Sequence, residues 1–186
     1  MKRSARRPLV AAFLVVLLTA ALLWLMGRPL ICTCGRIDLW VGSIAVPATS
    51  QMIADWYSPS HLIHGILFHA GLWLVMRRAP LERRFLVATV VEAAWELVEN
   101  SPVIIERYRE ATIAIGYSGD SILNSVSDML MMMFGFFLAH RLPVWASAAL
   151  VVALELIALL AIRDNLTLNI WMLLAPNDWV RGWQAG

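Results

Sequence analysis

Ionisable and amide side chains recur at helical spacing inside three otherwise apolar stretches of the chain. They are His61 and His64 in the first stretch, Glu92, Glu96, Glu99 and Asn100 in the second, and Asp120, Asn124 and Asp128 in the third. Successive members are mostly three or four residues apart, which places each set on one face of a helix. Three such faces predict a polar cluster between three helices.

A cluster of this composition suits acid–base chemistry. A glutamate beside a histidine can move protons to and from a substrate, and we expect Glu96 or His64 to be the general base. The predicted catalytic residues are His64, Glu96, Asp120, Asn124 and Asp128. In this interpretation the two aspartates orient the base.

The same residue types also form divalent-metal sites, in which imidazole nitrogens and carboxylate oxygens are the ligands. The candidate ligands are His61, His64, Glu96 and Asp120. A divalent metal is therefore the one cofactor that the sequence suggests, and its identity stays open. Polar faces of this kind also hold helices together in membrane bundles, which would be a purely structural role.

Residues beside the three faces are candidates for binding a substrate. Arg107 and Arg109 follow the glutamate-bearing stretch, and guanidinium groups can clamp an anionic headgroup. The predicted substrate-binding residues are His61, Glu99, Asn100, Arg107 and Arg109. We expect a membrane lipid as the partner. No feature indicates nucleic acid, and protein partners stay open.

The overall composition predicts that lipid, rather than water, is the solvent for most of these side chains. Hydrophobic residues make up 60% of the 186 residues, charged residues only 15%, and the mean hydropathy is +0.70. A soluble domain needs more polar surface than this. The two cysteines, Cys32 and Cys34, are too few for a disulfide scaffold and are interpreted as incidental, structural or metal-binding.

Five apolar runs predict membrane helices, at residues 9–26, 61–76, 85–105, 120–139 and 144–162. Pro102 is expected to kink or end the third of them. The later run at 166–175 is too short to cross a bilayer, and the tryptophans around it predict an interfacial or re-entrant segment. Residues 1–186 are thus expected to form one all-α, polytopic membrane bundle.

Basic residues predict the orientation of this bundle, because they favour the cytoplasmic side. With a cytoplasmic N-terminus, the inner side holds Lys2, Arg3, Arg6, Arg7, Arg77, Arg78, Arg83, Arg84 and Arg141. At ~1.5 Å per residue, Glu96 and Glu99 then lie in the outer third of the bilayer, at the same depth as His61 and His64. By the same count Glu92, Asp128 and His69 lie deeper. The predicted location is a bacterial inner membrane, with the polar faces meeting near the outer headgroups.

Five longer motifs resemble an uncharacterised protein family, number 0314, also called domain of unknown function 2585. They are Cys32-x-Cys34-Gly35, the run from Asp55 to Gly65, Glu92-Ala93-Ala94-Trp95-Glu96-x-x-Glu99-Asn100, the run from Gly119 to Asp128, and the run from Arg163 to Asn169. The resemblance covers nearly the whole chain outside the first span. It implies an alphaproteobacterial inner-membrane protein and implies no activity.

The order of the polar residues is also similar to that in VanZ-like membrane proteins. Those proteins share a histidine on one span, a glutamate on the next and a polar span that ends in glycine. Here the matching residues are His64, Glu96, then Asp120, Asn124 and Asp128, followed by Gly135. This likeness implies a similar helical fold and no biochemical mechanism.

Two classes of function are consistent with these observations. The first is a membrane-embedded enzyme that acts on a lipid or lipid-linked substrate at the outer leaflet. The second is a non-catalytic protein, which would bind a ligand, maintain the envelope or carry protons on its glutamates. One-sided access to Glu96 and Asp120 would favour the enzyme, and access to Glu92 from both membrane faces would favour the carrier.

Overall fold

A computed structural model describes residues 3–44, 46–114 and 116–186, with side chains from residue 7 onward. Lys2, one of the basic residues used for the orientation, lies outside the described residues. Those residues form eight helices: α1 (Arg3–Leu25), α2 (Ser58–Val75), α3 (Leu81–Glu99), α4 (Pro102–Ala111), α5 (Ile122–Arg141), α6 (Val144–Ile162), α7 (Leu166–Leu174) and α8 (Asp178–Ala185). The described ranges contain no β-strand, so the predicted all-α fold is confirmed.

Three of the helices are long and apolar enough to cross a membrane, at Arg7–Leu25, Ile122–Arg141 and Val144–Ile162. Most apolar side chains of α6 are exposed, and Leu160 is 84% exposed. α2 and α3 have comparable lengths, 18 and 19 residues. Three histidines lower the mean hydropathy of α2, and six charged residues lower that of α3. Five of these nine residues, His61, His64, Glu92, Glu96 and Glu99, belong to the candidate site described below.

The glutamate-bearing helix ends before Pro102. The Asn100 amide donates to the carbonyl of Glu96 and completes the last turn of α3. Ser101 then adopts an extended backbone, and its hydroxyl accepts from the amide of Ile104 as the N-cap of α4. Proline is tolerated in the first turn of a helix but not in its interior. Pro102 therefore ends α3 and begins α4.

Two glycines bring α2 and α5 into backbone contact. A Cβ atom on Gly65 would lie 2.0 Å from the carbonyl oxygen of Met132, and one on Gly135 would lie 2.1 Å from the carbonyl oxygen of Leu62. These distances are far below ordinary contact, so neither position accepts a side chain without separating the helices. α2 accordingly packs most extensively on α5, while α1 lies against α3.

The connection between α1 and α2 covers the N-terminal end of α5. Carbonyl oxygens of Ser50, Pro29 and Leu30 accept from the amides of Ser121, Ile122 and Leu123. The first amides of a helix have no partner inside it, so these carbonyls replace water there. Cys32 and Cys34 are joined by a disulfide in this connection, and Cys32 packs with Val41 and Met52 in a small core.

The C-terminal segment folds back through two short helices. Arg163 has a left-handed backbone (φ 55°) that reverses the chain after α6. The carboxylate of Glu155 in α6 accepts from the amides of Leu166 and Thr167, so this acidic residue anchors the N-terminus of α7. α7 has only 9 residues, which is too short to cross a bilayer, as expected.

Candidate functional site

A histidine–glutamate triad forms the centre of the polar cluster. The Nδ1 atom of His61 lies 2.6 Å from Oε1 of Glu92, and the Nδ1 atom of His64 lies 3.1 Å from Oε2 of the same carboxylate. Glu92 is fully buried, and His61 is 7% exposed. One carboxylate therefore holds the imidazoles of His61 and His64 in α2 against α3. The count along α3 placed Glu92 deeper than His61, but the structure joins the two side chains directly.

Glu96 lies one turn further along α3 and has no hydrogen-bond partner. Its Oε1 atom is 3.6 Å from Nδ1 of His61, too far for a hydrogen bond, and both of its carboxyl oxygens are buried without a donor. A buried polar group without a partner loses the hydrogen bonds of water and gains none in return. Glu96 is therefore held at a cost in stability, which is typical of a functional residue.

Asp128 brings the third polar face to the same place. Its Oδ2 atom lies 3.8 Å from Nε2 of His61, and its Oδ1 atom is buried without a partner. The close contact of α2 with α5 at Gly65 and Gly135 accounts for this proximity, because Gly65 lies one turn after His61. The structure thus unites the predicted residues His61, His64, Glu96 and Asp128.

Glu99 lies at the outer edge of the cluster. The hydroxyl of Tyr108 in α4 lies 2.9 Å from Oε1 of Glu99 and 3.1 Å from Oδ1 of Asn169 in α7. The hydroxyl can donate to only one of these oxygens at a time. Tyr108 and Asn169 are parts of the site that the sequence did not predict. The available signal was that Tyr108 lies between the two arginines proposed to bind substrate.

Asp120 is engaged in a separate hydrogen-bond network. Its Oδ2 atom accepts from Nδ2 of Asn100 at 2.7 Å, and its own amide donates to Oδ1 of Asn100 at 2.7 Å. Its Oδ1 atom accepts from the hydroxyl of Tyr117 at 2.9 Å. Both oxygens therefore have donors, and the network joins the end of α3 to the residues before α5. This arrangement gives Asp120 and Asn100 a positioning role.

Asn124 also supports the surrounding structure. Its side-chain amide donates to the carbonyl of Met52 at 3.1 Å, and its backbone amide donates to the hydroxyl of Ser121. The residue thus fastens α5 to the connection that covers it. The catalytic role expected for Asn124 stays a prediction, and its contacts are those of a structural residue.

The two arginines proposed to bind substrate hold the main chain of neighbouring segments. Arg107 donates through Nε to the carbonyl of Leu173 at 2.8 Å, and Arg109 donates to the carbonyl of Tyr117. His69, the third histidine of α2, lies apart from the triad, with its ring 5.7 Å from that of His140. Nothing in these contacts joins the three residues to Glu96.

Asp55, the first residue of the motif that runs to Gly65, organises the segment that leads into α2. Its Oδ2 atom accepts from the amide of Ser50 at 2.7 Å, and its Oδ1 atom accepts from the amide of Tyr57 at 2.8 Å. Burial nevertheless raises the pKa of Asp55, because desolvation of its carboxylate outweighs these two donors. An aspartate shortly before a serine- and proline-rich helix start was the signal for this role.

A cavity of about 270 Å³ opens beside the Asp120 network. Arg28, Gln51 and Gly119 are among the residues that line it, and Arg28 donates through Nη1 to the carbonyl of Ser118 at 2.6 Å. The positive charge of Arg28 suits an anionic group. Because Gly119 directly precedes Asp120, the cavity adjoins the network that positions α3 against α5.

Comparisons with known proteins place these residues in a family. Residues 23–186 match the family described as protein of unknown function (DUF2585). A UPF0314 protein of Paracoccus denitrificans is 56% identical over 184 residues, covering 99% of this chain and 94% of the relative. UPF0314 proteins of Sphingopyxis alaskensis and Rhizobium meliloti are 54% and 50% identical, covering 96% and 100% of this chain and 94% of each relative.

No solved structure matches the chain. The VanZ-like likeness is not among these matches and stays a prediction. The predicted family is confirmed, and the chain belongs to the DUF2585 family, whose curated relatives carry the name UPF0314 protein.

Proposed function

We propose that this protein is a membrane-embedded enzyme that hydrolyses, or transfers a group from, a lipid or lipid-linked substrate at the outer leaflet. The observation that carries the proposal is the carboxylate of Glu96. It is fully buried, it has no hydrogen-bond partner, and it lies 3.6 Å from the imidazole of His61. A site that leaves such a group unpaired has an acceptor ready for a substrate proton.

The topology behind this proposal is a bundle of five spans, α1, α2, α3, α5 and α6, with a cytoplasmic N-terminus in a bacterial inner membrane. Four arginines at positions 77, 78, 83 and 84 surround the short turn between α2 and α3, which supports a cytoplasmic position for that turn. The opposite ends of these helices then face outward. They carry His61 in the first turn of α2, and Glu96 in the last turn of α3.

The depth of the cluster suits a headgroup rather than an acyl chain. His61 and Glu96 are each three residues from the outer ends of their helices, and Asp128 is six residues from the start of α5. At ~1.5 Å per residue these are depths of roughly 5 to 9 Å below the helix ends. Charged residues at such depths normally face the interior of the bundle, and here the carboxylates of Glu96 and Asp128 both face the imidazole of His61.

In the proposed reaction Glu96 accepts the proton of an attacking water or hydroxyl group. The oxygen of that nucleophile forms the new bond to the electrophilic centre of the substrate. The bond to the leaving oxygen breaks, and the protonated imidazole of His64 donates a proton to it. Glu92 stabilises that imidazolium and fixes its orientation. Arg28 in the adjoining cavity would attract the anionic part of the headgroup.

The experiment is lipid conversion by purified protein. Wild type and Glu96→Gln are incubated with a total lipid extract of the host membrane, and the lipids are compared by mass spectrometry. The matched control is Glu82→Gln, which makes the same change in the first turn of the same helix. We expect wild type and Glu82→Gln to deplete at least one lipid species and Glu96→Gln to deplete none. Conversion by folded Glu96→Gln, or no conversion by wild type, would contradict the proposal.

A further inference from the structure

We propose that His61, Glu96 and Glu99 bind one divalent cation, with Asp128 as a fourth ligand. Single ligand atoms of the first three residues all lie within 4.8 Å of one another. This cation site deepens the proposed function and rests on it, since the cation would serve the reaction assigned to the same cluster. Cation binding and lipid conversion are nevertheless separate measurements.

The unpaired oxygens of the cluster are the first support. Both carboxyl oxygens of Glu96 and the Oδ1 atom of Asp128 are buried and lack donors. Buried carboxylates are normally paired with a cation or coordinate a metal. Among the residues that the structure describes, no lysine or arginine forms an ion pair with any carboxylate of the cluster. A bound cation would supply the partner that the protein itself does not.

The charge of the cluster is the second support. Four acidic side chains from α3 and α5 meet two imidazoles, at Glu92, Glu96, Glu99, Asp128, His61 and His64. Like charges at these separations repel strongly where water is excluded. A divalent cation offsets two negative charges at the place where the unpaired oxygens converge.

The distance between His61 and Asp128 fits two ligands of one ion better than it fits a hydrogen bond. Two ligands at about 2.0–2.2 Å from an ion are about 3–4 Å apart unless they lie on opposite sides of it. Asp128 is 3.8 Å from Nε2 of His61, and ligand atoms of Glu96 and Glu99 lie within 4.8 Å of a ring nitrogen of that histidine. The ligands are one imidazole and several carboxylates, which suits Mn²⁺ or Zn²⁺ rather than a soft ion such as Cu⁺.

Glu92 has a different part in this arrangement. Its Oε1 atom accepts from His61 at 2.6 Å and its Oε2 atom accepts from His64 at 3.1 Å, so both carboxyl oxygens already have donors. With the Nδ1 proton of His61 donated to Glu92, the Nε2 atom is left as the metal ligand. A carboxylate that orients a ligating histidine in this way is common at metal sites. The sequence-based set of His61, His64, Glu96 and Asp120 is thereby revised, because His64 pairs with Glu92 and the carboxyl oxygens of Asp120 already have donors.

The test is cation binding by the full chain in detergent. The protein is stripped with a chelator, and Mn²⁺ and Zn²⁺ are titrated separately by calorimetry, with stoichiometry from elemental analysis. We expect one tightly bound cation per wild-type chain and a rise in the melting temperature on binding. Glu96→Gln and Asp128→Asn should weaken binding by at least tenfold and abolish the rise in melting temperature. Glu82→Gln, which lies in the first turn of the same helix as Glu96, should bind the cation like wild type.

The outcomes separate this inference from the proposed function. Failure of wild type to bind either cation, or wild-type affinity in folded Glu96→Gln and Asp128→Asn, overturns the cation site. Lipid conversion by metal-free protein would also overturn the cation's part and leave the enzyme proposal intact. Cation binding without lipid conversion would uphold the site and refute the enzyme. If one variant fails to fold, the other still reports on binding.

Discussion

Replacing Gly65 by alanine should separate α2 from α5 and disturb the cluster. A Cβ atom at this position would lie 2.0 Å from the carbonyl oxygen of Met132 and 2.5 Å from the amide nitrogen of Phe136. Both neighbours are helix backbone, so neither can rotate away. Ordinary van der Waals contact begins at 3.4 Å, so the Cβ atom and the carbonyl oxygen must move apart by about 1.4 Å. Overpacking of this kind costs about 1–3 kcal/mol.

Gly71→Ala is the matched control on the same helix. No atom lies within 4 Å of the position that its Cβ would take. Both substitutions gain the same helix propensity, roughly 1 kcal/mol, so the difference between the two variants isolates the packing cost. We expect Gly71→Ala to unfold at or above the wild-type temperature and Gly65→Ala to be less stable than Gly71→Ala by about 1–3 kcal/mol.

The assay is thermal or denaturant unfolding of the purified variants in one detergent, followed by tryptophan fluorescence. A second readout is Mn²⁺ affinity, which Gly65→Ala should reduce, because His61 moves with α2 relative to Asp128. Equal unfolding midpoints for Gly65→Ala and Gly71→Ala would refute the close backbone contact. Normal Mn²⁺ affinity in a destabilised Gly65→Ala would show that the contact stabilises the bundle without positioning the site.

Two further predictions concern Asp164 and the C-terminus. Burial raises the pKa of Asp164 to about 6, although Asn165 and Gln184 donate to it. The folded-state pKa exceeds the unfolded value near 4, so the folded protein binds the proton more tightly. The stability that protonated Asp164 contributes is therefore complete below about pH 4 and is lost as the pH rises through 6. Between pH 4 and 7.5 the wild type should lose about 2–3 kcal/mol of unfolding free energy that Asp164→Asn does not lose. The measurement is unfolding of both proteins at each pH, and parallel pH profiles would exclude this effect. A reporter fused after Gly186 should be active only outside the cytoplasm, and a cytoplasmic C-terminus would contradict the five-span orientation.

Much of the architecture was predictable because local residue patterns determine where helices form and end. Each of the five apolar runs overlaps a helix of the structure, and Val144–Ile162 agrees at both ends, whereas the run at 85–105 is divided between α3 and α4. The break at Pro102 follows from the chemistry of proline, which cannot continue a helix interior. The family followed from long motifs whose residues are spread over the whole chain.

The partners within the site were less predictable. Spacing of three or four residues placed Glu92 and Glu96 on one face of α3, but it could not tell which of them contacts the histidines. That choice depends on the level at which α2 lies against α3, and the close contact with α5 at Gly65 governs the position of α2. A shift of one turn would exchange the roles of the two glutamates.

The sequence by itself determined that polar faces on three helices meet in an apolar bundle, because residue spacing and hydropathy are local properties of the chain. Only the tertiary structure decided that Glu92 holds the imidazoles while Glu96 stays unpaired. It also decided that Asp120 pairs with Asn100 at the end of α3, and that Asn124 donates to the carbonyl of Met52 in the preceding connection. Among the described residues, neither side chain forms a hydrogen bond with a proposed metal ligand. Those partners are distant in sequence, and their positions follow from the packing of helices and from a connection without periodic pattern. Hydrogen-bond pairing at the ångström scale is therefore a property of the whole fold.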